Sequence, residues 1–157
     1  MTEPIATFET GPYLQVAVFC EQILDEKDNV KSLIRIIDRL FVQASGPNPS
    51  EAMPEFESEL NAFLLFKSGQ ATGPVPIRIT LTRPSGLTAS NPVWYGTVHF
   101  EGGTRGHNLT LQIRYKFREP GPYWFNVYVG DRLATRMPFE VIYTTMITAG
   151  QAPPQQL

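Results

Sequence analysis

The chain has 157 residues, a formal net charge of -2, an isoelectric point near 5.7 and one cysteine. Its length suits a single domain with a core that needs no disulfide or metal support. Lone Cys20 excludes an intramolecular disulfide and a multi-cysteine zinc site, and the near-balanced charge excludes a general pull toward nucleic acid or anionic lipid.

Fourteen prolines and twelve glycines punctuate short runs of β-favouring residues. Tyr13–Leu24 reads as the first strand and places Cys20 in an apolar run, so a buried structural thiol is expected. A polar DEKDN turn leads to a strand over Val30–Val42, and QASGPNPSEAMPE reads as a loop. Leu60–Lys67 is apolar on both faces and predicts a central strand. In Val75–Thr82 the alternation turns Val75, Ile77, Ile79 and Leu81 inward and Arg78, Thr80 and Thr82 outward. Strands are expected over Val93–Phe100, His107–Phe117, Tyr123–Val129 and Leu133–Tyr143, with Gly130-Asp131 as a hairpin turn between the last two.

About eight consecutive strands without a crossover helix predict an all-β fold: an antiparallel β-sandwich, immunoglobulin-like or a related Greek key, with a closed barrel as the alternative. The expected domain covers residues 13–143, between an N-terminal extension (1–12) and a flexible C-terminal tail (144–157). No apolar run reaches the ~18 residues that span a bilayer. The opening MTEPIATFETGPY lacks the basic and apolar regions of a signal peptide. A cytoplasmic protein with no membrane contact is expected.

The stretch VAVFCEQILDEKDNVKSLIRIIDRL, with Phe19, Cys20, Glu21, Leu33, Ile34, Ile36, Asp38 and Leu40, resembles the opening of a family of small bacterial proteins classed only as a domain of unknown function. The Leu-Thr-Arg-Pro-Ser-Gly run at Leu81–Gly86 and the late Gly-Pro-Tyr-Trp-Phe-Asn-Val and Gly-Asp-Arg-Leu motifs extend the resemblance over residues 13–143. It implies a bacterial or phage-borne cytoplasmic β-sandwich. It implies no activity and no catalytic residue.

Chemistry-bearing residues are few. His99, Glu101 and His107 are the residue types of a two-histidine, one-carboxylate metal site, if a hairpin loop at Glu101–Gly106 brings the histidines together. The same glycines lack the following helix that a phosphate loop needs. No hydrolase elbow or His-Glu-x-x-His motif occurs. On Tyr123–Val129, inward Tyr123, Phe125 and Val127 leave Trp124, Asn126 and Tyr128 outward. Beside them the preceding strand is expected to present Gln112 and Arg114, which makes a flat aromatic and polar patch. Arg35, Asp38 and Arg39 interrupt an apolar strand, as charges that guard a sheet edge do, or as a buried Asp38–arginine pair. The reading is a non-enzymatic binding module without a cofactor, for a protein partner or a second copy of itself. A carbohydrate or small-ligand module is the first alternative. A metal protein or enzyme using His99, Glu101 and His107 is the second.

Overall fold

The computed structural model describes residues 10–150. Its strands are β1 (Tyr13–Asp25), β2 (Lys31–Ile37), β3 (Arg39–Gly46), β4 (Phe56–Thr82), β5 (Trp94–Phe117), β6 (Gly121–Val129) and β7 (Arg132–Ile147). Seven strands replace the expected eight: four predicted segments are halves of two long ones, and one predicted strand is divided in two. Leu60–Lys67 and Val75–Thr82 both belong to β4, while Val93–Phe100, apart from Val93, and His107–Phe117 both belong to β5.

β4 and β5 form one long antiparallel hairpin, paired from Phe56↔Phe117 to Ile79↔Trp94. Its register slips between Lys67 and Thr72, where Gly69 and Gly103 face each other with φ of 58° and 63°. A side chain there would oppose that backbone, so glycine lets both strands bend and pass from one layer to the other. The first half of β4 pairs with β1, from Lys67↔Tyr13 to Asn61↔Cys20, and the second half pairs with β6, from Ile77↔Val129 to Thr82↔Trp124. Layer I therefore runs β2-β1-β4-β5 and layer II runs β5-β4-β6-β7-β3.

The expected Val30–Val42 strand is also divided. It breaks at Asp38, so that β2 edges layer I and β3 edges layer II. β3 runs parallel to β7, the exception in an otherwise antiparallel arrangement. β7 continues to Ile147, four residues past the expected strand end, because β3 pairs with it through Gly46↔Ile147. The remaining parts of the expected extension and tail, 1–9 and 151–157, lie outside the described residues. Among the described residues β2, β3 and β5 are each unpaired on one side, so the sheet is open and not a barrel.

The inward rows fuse into one core. Leu60, Ala62, Leu64 and Phe66 alternate along one half of β4 and Ile77, Ile79 and Leu81 along the other, all buried. Phe19 of β1 meets Phe125 of β6 at 4.9 Å and Phe139 of β7 at 5.2 Å, both edge to face, and so ties layer I to layer II. Such pairs add about 0.5–1.5 kcal/mol each beyond area burial. The link from β5 to β6 changes layer. It is pinned by Tyr123, whose buried ring stands against Phe117 at 5.0 Å and whose hydroxyl donates to the Glu119 carbonyl at 2.7 Å. Cys20 is buried and burial pushes its thiol pKa up, as an inert structural thiol requires. No helix among the described residues is long and apolar enough to cross a membrane.

Candidate functional site

Alternation along β6 buries Tyr123, Phe125, Val127 and Val129 and turns Trp124, Asn126 and Tyr128 to the outer face of layer II. The ladder then decides their neighbours. Thr82↔Trp124, Thr80↔Asn126 and Arg78↔Tyr128 are paired on the β4 side, and Asn126↔Arg136 and Trp124↔Pro138 on the β7 side.

Asn126 is the hub of this face. Its Nδ2 donates to the Thr80 and Thr82 hydroxyls at 3.1 Å each, and its Oδ1 accepts from Arg136 Nε at 2.8 Å. Although it points outward, Asn126 is only 6% exposed. The amide uses both donor and acceptor at once, and that satisfaction makes its burial tolerable. Arg136, aligned by that bond, lies with its guanidinium carbon 4.6 Å from the Trp124 ring centroid. One rung away the Arg78 guanidinium lies 3.9 Å from the Tyr128 ring centroid. Tyr95, 64% exposed, pairs with Arg78 on its other side. Cation–π contacts of this kind contribute about 0.5–1 kcal/mol at exposed sites. Among the described residues neither Arg78 nor Arg136 has a carboxylate within 4.0 Å.

The structure does not bring Gln112 and Arg114 to this face. They lie on the layer I half of β5, where Gln112 pairs with Asn61, and Arg114 makes ion pairs with Glu59 at 3.3 Å and Glu57 at 3.7 Å. The expected juxtaposition treated β5 and β6 as hairpin neighbours because only residues 118–120 separate them. The Tyr123 corner sends that short link across the sandwich instead, and the outward rows of the two strands end on opposite faces.

The hairpin loop supposed for His99, Glu101 and His107 is also absent, because all three lie along one continuous strand. They pair in turn with Pro74, Thr72 and Phe66 of β4, and Glu101 makes an ion pair with Arg105 at 3.1 Å. Among the described residues no group of three or more histidine, cysteine or acidic side chains could hold a metal ion.

Asp38 and Arg39 are both exposed and pair with each other at 2.7 Å, an arrangement that holds the Asp38 carboxyl below its usual range. The pair is not buried; it sits between the two edge strands. Arg35 reaches Glu21 at 3.4 Å from β2.

Sequence reading turned Arg78, Thr80 and Thr82 outward, but not beside β6. It passed over Arg136 and Tyr95. Arg136 was within reach of the pattern, since it precedes inward-facing Met137 on β7.

No curated protein matches the chain. Among solved structures it is similar to β-glucosidase from Listeria innocua in complex with glucose, with a TM-score of 0.46 and 12% identity over 82% of this chain. The chain spans 16% of that enzyme. It is also similar to an immunoglobulin-like protein from Pseudomonas aeruginosa, with a TM-score of 0.38 and 12% identity, over 85% of this chain and 98% of the other. A family model matches residues 15–142, nearly the whole sandwich, and on that match the chain belongs to DUF6941, a family of unknown function.

Proposed function

We propose that this protein is a non-enzymatic binding module that engages another protein through the outer face of layer II. Trp124, Tyr128, Arg78 and Arg136 are the contact side chains, and Asn126 holds Arg136 in place. The observation that carries the reading is the pair of guanidiniums lying on aromatic rings with no carboxylate among the described residues within 4.0 Å. Tryptophan, tyrosine and arginine are the residue types that dominate binding energy at protein interfaces. Each arginine is already oriented over its ring, so less rotamer freedom is lost on docking. Their N–H groups have the geometry to receive carboxylate or carbonyl oxygens from a partner.

A carbohydrate module needs ring faces open for a sugar to stack on. Here one face of each ring carries a guanidinium, which favours the protein reading. The test is affinity capture from a lysate of the source organism, with Trp124→Ala/Tyr128→Ala beside the wild type and circular dichroism to confirm that both fold. The expected result is a discrete polypeptide held by the wild type and lost from the double variant. Equal capture by both proteins removes the face from consideration.

A further inference from the structure

We propose that two copies of this chain pair edge to edge through β3, antiparallel across a twofold axis, so that layer II continues from one copy into the other. This rests on the edge of the sheet and is independent of the outer-face reading.

Among the described residues, one side of β3 pairs with β7 and the other has no partner. A free edge is a row of backbone donors and acceptors, and monomeric proteins blunt such rows with charges, prolines, bulges or bends. The other free edges here carry those devices. β2 includes Lys31 and Arg35, and Arg35 takes a φ of 51° and drops out of the paired register with β1. β5 bends at Gly102 and Gly103, and its layer I half presents Arg114 and Lys116. β3 carries only the charge of Arg39 at its start: its eight residues keep an unbroken register with β7, and Leu40–Gly46 contains no charge and no proline.

The side chains of β3 also end unfinished. Its inward residues Leu40 and Val42 pack on the core yet stay only half-buried, whereas inward Phe125 and Val127 of β6 are fully covered. On the outer face Phe41 is 68% exposed beside Ile142. A further strand on this edge closes the inward row and covers part of Phe41.

A second copy suits this edge because β3 is compatible with itself. With Val42 on the twofold axis, Phe41 of one copy faces Gln43 of the other, Leu40 faces Ala44, and Arg39 faces Ser45. No like charges oppose one another, and apolar Phe41 and Leu40 each meet an amide or small residue. A twofold pairing uses both β3 edges and leaves neither open.

The test is sedimentation of the full chain between about 1 and 100 µM, the range that separates weak from moderate association. Phe41→Lys/Gln43→Lys is run beside the wild type; both positions are exposed, so the variant is expected to keep the wild-type circular dichroism spectrum. The expected result is a concentration-dependent wild-type dimer and a monomeric variant. A wild type that stays monomeric throughout overturns the proposal, including the case in which β3 instead accepts a strand from a different protein. A variant that dimerises as well as the wild type also overturns it. Hydrogen exchange on the wild type alone gives a second reading that needs no variant. The Leu40–Ser45 amides should exchange at least tenfold more slowly at high than at low concentration, and rates independent of concentration count against the pairing.

Discussion

On the outer face of layer I, Arg114 lies between Glu57 and Glu59, while Lys116 and Arg118 both reach Glu55, at 3.6 and 3.4 Å. On the outer face of layer II, Arg136 and Arg78 lie over Trp124 and Tyr128, and among the described residues no carboxylate lies within 4.0 Å of either. Both faces are built from outward rows on the same two long strands plus their neighbours, so the difference is one of cross-strand partners. Layer I pairs its cations internally, and exposed pairs of that kind are worth about 0–1 kcal/mol. Layer II places its cations on rings, and under the proposed function their charge is met by a partner. Two faces of one sandwich thus show how the same residue type is either paired with carboxylates or laid on a ring by what the register sets opposite it.

The largest stability effect should come from removing the hub. Asn126→Leu takes away three hydrogen bonds and leaves Thr80 and Thr82 facing an alkyl chain. Chemical denaturation should show a loss of about 2 kcal/mol, within the range for stranding buried polar groups. A neutral outcome means the network is incidental to the face.

Alkaline pH should produce the next effect, from the core that both faces share. Burial raises the pKa of both Cys20 and Tyr123. The folded state then holds these protons to higher pH than the unfolded chain does. Stability is fully present below the unfolded values, about 8.5 for a thiol and 10 for a phenol, and falls as pH rises past them. Urea midpoints should be flat from neutral pH to about pH 8 and decline above that. Tyr123→Phe should flatten the upper part of the decline, and a midpoint that rises with pH contradicts the assignment.

Trp124→Ala should cost about 1 kcal/mol of stability, because the ring is half-buried and carries the Arg136 contact. Its effect on the captured partner should be larger than its effect on folding, at least tenfold in Kd, as for an interface anchor. Stability loss without affinity loss makes the ring structural.

The smallest effect belongs to layer I. Glu59→Gln removes one exposed carboxylate from Arg114, which keeps Glu57. The expected change is below about 0.5 kcal/mol, with partner affinity unaltered. A substantial loss of affinity here moves the binding face to the other layer.

Much of the fold was legible in the residues. Period-2 alternation identified the inward rows of Val75–Thr82 and Tyr123–Val129, and Leu60–Lys67 was recognisable as central because both of its faces are apolar. The Gly130-Asp131 turn joins β6 to β7 as read, with Gly130 alone taking a positive φ, 58°. Arg35 and Arg39 do lie on edge strands, with Asp38 at the break between them. The bends were not legible as bends. Glycines at Gly69, Gly73, Gly102 and Gly103 look like loop glycines, and only pairing with an equally long neighbour keeps such a chain in the ladder. Strand adjacency was the decisive gap for the site. Alternation says which way Trp124, Asn126 and Tyr128 point, but it cannot say whether Arg114 or Arg78 lies beside them. A corner fixed by one tyrosine hydroxyl decided that, and a hydrogen bond from Tyr123 back to Glu119 leaves no periodic trace.

The proposed function makes Arg78 and Arg136, which have no carboxylate within 4.0 Å among the described residues, the binding cations of layer II. Its most direct test measures the affinity of the captured partner for Arg78→Glu/Arg136→Glu and for Glu57→Gln/Glu59→Gln, each beside the wild type. Charge reversal on layer II should weaken binding by a hundredfold or more, roughly 2.7 kcal/mol, while the layer I variant matches the wild type. Full affinity in the layer II variant, with the loss appearing in the layer I variant, contradicts the account.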